Sequence, residues 1–152
     1  MKTGNHVSVL LVALGVAAFA AACADSIGPE SAMLALNRAK WSAQGIDTYT
    51  FDYHRSSCEC LPEWLVPVRI TVVDGQVTSV IKIATGEAVA APAFRLTIDS
   101  LFVELANTLK GNPYRLSVTY DGRLGYPTTV SVDYDRQMVD DEGGFVARLV
   151  SP

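Results

Sequence analysis

Asp74-Gly75 separates two apolar runs that alternate with polar residues, Val68-x-Ile70-x-Val72 on one side and Val77-x-Ser79-x-Ile81-x-Ile83 on the other. A two-residue turn of this kind needs positive φ at both central positions, which Asp tolerates and Gly adopts freely. The pair therefore predicts a hairpin, and strands joined by so short a turn must run antiparallel. A parallel sheet with a helix in every crossover is excluded at this point of the chain. The same period of two recurs elsewhere. Tyr49, Phe51 and Tyr53 alternate with Thr50 and Asp52; Tyr114, Leu116, Val118 and Tyr120 lead to Asp121-Gly122, and Thr128, Val130 and Val132 lead back. A last strand is expected over Phe145 to Val150, after Gly143-Gly144.

Two segments switch to a helical period. Pro29 suits a first helical turn, Met33, Leu34, Leu36, Asn37 and Trp41 follow at helical spacing, and Gly45 stands as a helix-ending glycine. Further on, Thr97 is a candidate N-cap for Ile98, Leu101, Phe102, Leu105 and Leu109, with Gly111 and Pro113 closing the helix. Ala84 to Ala93 reads as a connection. The expected fold is α+β: a two-layer sandwich with an antiparallel sheet, two helices on one face, and the order α-β-β-β-α-β-β-β. A helix followed by three strands, twice over, hints at two related halves.

The first 22 residues stand apart from this pattern. Lys2 supplies a positive start, Val7 to Ala22 is an almost unbroken apolar run, and Ala20-Ala21-Ala22-Cys23 gives way at once to Asp25 and Ser26. The run is shorter than the ~20 residues a membrane-spanning helix needs and ends in small residues, as an export signal does. Cleavage before Cys23 fits either plain secretion or lipoprotein processing, with Ala20 where a lipobox usually has Leu. The lipoprotein reading makes residues 1–22 a signal peptide, Cys23 the lipidated terminus, 23–28 a tether and 29–152 one domain. Two or more acyl chains on Cys23 would hold the chain stably on a membrane.

Without the leader, 130 residues remain, enough for one core. They carry 11 basic and 16 acidic residues, a balance of about −5 with scattered arginines, which argues against nucleic acid as a partner. His54 is the sole histidine left, so imidazole chemistry rests on it or is missing.

Cys58-Glu59-Cys60 is the sharpest polar constellation. An even pair of cysteines in an oxidising compartment points to a Cys58–Cys60 disulfide. His54, Cys58 and Cys60 form an alternative zinc or copper set, one ligand short of the usual four, and a reducible pair is the redox alternative. Asp133, Asp135, Asp140, Asp141 and Glu142 make the densest acidic stretch; counted from Asp133, an EF-hand glycine would fall on Met138, so that pattern fails. No nucleophile elbow, phosphate loop or dinucleotide fingerprint is present, and no cofactor is expected.

Trp41, Tyr49-x-Phe51-x-Tyr53, Cys58-x-Cys60-x-Pro62, Val68-x-Ile70-x-Val72 with Asp74-Gly75, Tyr120-Asp121, Gly125-Tyr126-Pro127 and Asp133 occur in this order. The series resembles a family of bacterial exported proteins, many with lipoprotein signals, classed as a domain of unknown function. The resemblance spans roughly Met33 to Leu149 and implies an exported single domain, with no catalytic role to carry over. Within it, Tyr120, Asp121, Tyr126 and Asp133 are possible binding residues, although Gly125-Tyr126-Pro127 also reads as a strand-launching turn. The expectation is an envelope module that is not an enzyme, tethered through Cys23, which contacts an unidentified protein or small molecule. If the aromatic face of the first strand lies open, it is the contact surface; a thiol-dependent metal or redox site at Cys58/Cys60 is the alternative.

Overall fold

The computed structural model describes residues 28–57, 62–90, 94–138 and 140–152. The leader, Cys23, Cys58 and Cys60 lie outside these residues, and so do the expectations that rest on them. Helix α1 (Pro29–Ser42) and helix α2 (Ile98–Lys110) alternate with strands β1 (Tyr49–Ser57), β2 (Val68–Val73), β3 (Gln76–Lys82), β4 (Arg115–Tyr120), β5 (Pro127–Asp133) and β6 (Gly143–Ser151). The architecture is α+β, in the order α-β-β-β-α-β-β-β. All strand pairings are antiparallel, and the sheet runs β3-β2-β1-β6-β5-β4.

Local chemistry accounts for the boundaries. Asp74 and Gly75 both take positive φ, 50° and 71°, which is what the tight β2–β3 turn requires. In α2, Thr97 Oγ1 accepts from the Ser100 amide while Ser100 Oγ accepts from the Thr97 amide, a reciprocal cap that satisfies two otherwise orphaned donors. Helix α1 begins on Pro29 and ends earlier than Gly45, with Ala43 as its C-cap; Gly45 follows at φ 62° in the exit loop. A 3₁₀ turn at Pro62–Trp64, unanticipated from the sequence, precedes β2.

Strand β1 lies between β2 and β6, and its aromatic face is core, not contact surface. Tyr49, Phe51 and Tyr53 are at most 3% exposed, packed with Val68, Ile70 and Val72 of β2 and with Ile98, Leu101, Phe102 and Leu105 of α2. Trp41 of α1 meets the Tyr49 ring edge-on at 5.5 Å and the Tyr126 ring at 6.0 Å. Both helices cover this one face.

The two halves are not copies of each other. Read from the helix side, β1-β2-β3 and β4-β5-β6 step across the sheet in the same direction, yet β1 and β4 point opposite ways. A rigid copy with that relation would place its helix on the opposite face, whereas α1 and α2 share one layer.

Candidate functional site

The residues singled out from the sequence do not gather at one place. Around Tyr126 the polar atoms are engaged by the backbone. Tyr126 is 5% exposed, and its hydroxyl accepts from the Leu149 amide at 3.1 Å, joining the β4–β5 turn to β6. The Tyr49 hydroxyl likewise accepts from the Ile98 amide at 2.9 Å, at the first turn of α2. Asp121 Oδ1 accepts from the Arg123 and Leu124 amides at 2.9 and 2.7 Å, closing the turn by the Asx mechanism. Gly125 completes it at φ 85°, where a Cβ would stand 2.7 Å from the Asn37 carbonyl oxygen of α1. Lys40 of the same helix reaches the Gly122 carbonyl. These residues hold α1 on the end of the sheet.

Asp133 sits at the far end of β5, opposite Arg115 of β4. Six strand steps of ~3.3 Å place it about 20 Å from the Tyr126 turn, so Asp133 and Asp121 do not converge. Tyr120 is half-buried and lines a groove of about 310 Å³ between the first turn of α1 and β4, with Pro29, Met33, Leu116 and Val118. Burial pushes the Tyr120 phenol above its ordinary pKa. His54 projects from the opposite face of the sheet, aligned with Val146. In the acidic stretch Asp135 Oδ1 accepts from the Gln137 amide, and no cluster of three or more His, Cys, Asp or Glu forms among the described residues.

Sequence reasoning missed a polar group inside the core. Tyr53 is 1% exposed, and its hydroxyl lies near the Arg55 guanidinium without a well-formed hydrogen bond to any described residue. Burial pushes its pKa up to about 12; the Arg55 guanidinium opposes the shift and Glu104 adds to it. Arg55 and Glu104 themselves approach to 4.0 Å at the C-terminal end of β1. A phenol held neutral in this way supplies no base near neutral pH. Alternation alone assigns Tyr53 to the apolar face and carries no signal for its hydroxyl.

The second face of the sheet is uncovered by the described residues. Asp52 of β1 holds Arg69 of β2 in a two-point pair, 2.7 and 3.1 Å, and this bond together with the carboxylate charge raises the arginine pKa. Arg148 lies beside Asp52 on β6, and Thr50 faces Thr71 across the β1–β2 ladder. Beyond β6, Thr129 and Ser131 align with Thr119 and Ser117. The result is a broad surface of hydroxyls and charges, interrupted by exposed Val146 and Val150 of β6.

No curated protein and no solved structure matches the chain. A family model does match, over residues 33–152, from within α1 to the C-terminus. It takes in every strand and the turn in which Trp41, Asp121, Gly125 and Tyr126 lock α1 to the sheet, and the chain belongs to that family, DUF6174, a family of unknown function.

Proposed function

We propose that this chain is a lipid-tethered binding or structural module of the bacterial cell envelope, and that the uncovered sheet face is its contact surface. The observation that carries the reading is the division of labour between the two faces. The aromatic residues of β1 and the Tyr126 turn are committed to the core side, while the Thr50 and Thr71 hydroxyls and the Asp52–Arg69 pair lie half-buried on the other. A surface of that composition suits a polar partner, protein or glycan, through hydrogen bonds and charge complementarity. The leader and Cys23 supply the tether, with five residues between Cys23 and Pro29. Fully extended, that span reaches about 20 Å, so the domain would ride close to the bilayer.

Two measurements on the full chain in a bacterial host test the reading. Intact-mass analysis is expected to show a diacylglycerol adduct on Cys23, and Cys23→Ser is expected to release the chain from membranes. An unmodified Cys23, or a serine variant that stays membrane-bound, refutes the tether. Hydroxyl-radical footprinting of cells against the purified chain is expected to protect β1 and β6 side chains of the open face; equal labelling refutes the contact surface.

A further inference from the structure

The two edges of the sheet are treated differently. The outer edge of β3 is covered by the chain that follows it: Ala88 bridges Ile81, the Val89 amide donates to the Val80 carbonyl, and the Lys82 amide donates to the Glu87 carbonyl. The outer edge of β4 has no strand beside it among the described residues. Exposed sheet edges are commonly guarded by proline, by inward-pointing charge, by bulges or by a covering segment. Among the described residues Arg115–Tyr120 has no proline, no inward-pointing charge, no bulge and no covering segment, and Arg115 is its one charged side chain. The β4–β5 irregularity falls on the β5 side, at Thr128, which leaves β4 itself regular. Its residues alternate strictly, Arg115, Ser117 and Thr119 exposed, Leu116, Val118 and Tyr120 half-buried along the groove beside α1.

We infer that β4 pairs with β4 of a second copy of this chain, joining two six-stranded sheets into one of twelve strands. The register follows from side-chain complementarity. With Val118 opposite Val118 of the second copy, Leu116 meets Tyr120 at the groove, Ser117 meets Thr119 on the open face, and Arg115 meets Asp121. Every pair then joins residues of one face, as antiparallel pairing requires. The two Arg115–Asp121 contacts are of opposite charge, and Asp121 engages the backbone of its own turn through Oδ1 alone. A copy of the chain thus supplies the apolar and the charged complement at once.

The symmetry also suits a shared surface. The twofold axis of antiparallel edge pairing runs normal to the sheet, so both helix layers lie on one side. Pro29 lines the same groove as Leu116 and Val118, which places both α1 starts beside the seam. Two tethers would leave the pair together. A six-residue edge falls below the size of a stable soluble interface, about 1,200 Å² in total. Confinement on one membrane supplies the missing concentration. The edge geometry sets the register of the pairing independently of Cys23, while its population rests on the tether proposed above.

The test uses the full chain in its host membrane with photoreactive benzoylphenylalanine in place of Val118. Irradiation is expected to give a product of twice the chain mass that contains this chain alone, while the same probe at Ser79 near the β3 edge gives at least fivefold less. Arg115→Asp, at an exposed position, sets carboxylate against carboxylate and is expected to cut the yield at least fivefold; Arg115→Lys is expected to restore it. No product, a product with another protein, equal yields from Ser79, or indifference to Arg115→Asp each overturns the pairing. The same mass spectrum reads Cys23. An unacylated chain that still cross-links through position 118 refutes the tether and leaves the pairing intact.

Discussion

Replacing Tyr53 by Phe should make the protein more stable, and more so as pH rises. The side chain is 1% exposed and its hydroxyl lacks a well-formed hydrogen bond to any described residue. Burying such a group without compensation costs about 1–3 kcal/mol, and phenylalanine keeps the ring that packs against Phe145 at 5.6 Å. An increase of roughly 1 kcal/mol at pH 7 is expected, less than the full penalty because the aromatic cavity must close over the lost oxygen. The pH dependence has a definite sign. The folded pKa of about 12 lies above the ordinary value of 10.0, so the folded state holds its proton longer than the unfolded state. The stability tied to that proton is complete below pH 10 and declines as pH climbs from 10 toward 12. By pH 10.5 the native chain should have lost roughly 0.8 kcal/mol that the Phe variant keeps. Urea unfolding followed by tryptophan fluorescence between pH 7 and 10.5 measures both effects. A Phe variant that is less stable at pH 7 would show that Arg55 donates a productive bond to the hydroxyl. A stability gap that stays constant with pH would show that the phenol is not held neutral by burial.

Three further outcomes can be checked with the same material. Gly144→Ala should destabilise by about 3 kcal/mol or more, since its Cβ would press on the Val130 carbonyl of β5 and stand 2.8 Å from Ser56 Oγ; the urea midpoint reads this directly. Tyr126→Phe should cost about 1–1.5 kcal/mol by leaving the Leu149 amide without its acceptor, and hydrogen exchange at that amide should rise. Thiol titration of the unreduced chain should find no free thiol at Cys58 and Cys60 if they form the expected disulfide. Two reactive thiols there, or bound zinc or copper, would instead favour the thiol-dependent alternative.

Much of the local structure was legible because it is encoded by neighbours. Asp74-Gly75 states its own turn, and Thr97 with Gly111 brackets α2 through capping chemistry that involves a few adjacent residues. The order of strands in the sheet was not legible. Short turns identify β2–β3 and β4–β5, but the β1–β6 pairing joins residues nearly a hundred positions apart, and alternation carries no partner label. For the same reason the bare edge of β4 could not be foreseen, nor the cover on β3. The aromatic run of β1 was legible as one face without revealing which layer it meets. Tyr126 was visible as a strand-launching residue; that its hydroxyl reaches β6 depends on tertiary packing. Gly144 reads in sequence as half of a Gly-Gly spacer, and only the approach of the Val130 carbonyl explains why a side chain has no room there.

Strands β1 and β6, the first and last among the described residues, are neighbours at the centre of the sheet. A chain that stops short of Gly143 therefore leaves two inner edges bare, β1 and β5, each lined with apolar side chains. Without β6 the two halves of the sheet do not join, and the hydrophobic layer closes only when Gly143–Ser151 slots between its partners. A nascent or translocating chain of this design keeps both inner edges unpaired until Gly143–Ser151 has emerged. Until then both inner edges stay open to other strands, so products that lack β6 are expected to associate through them.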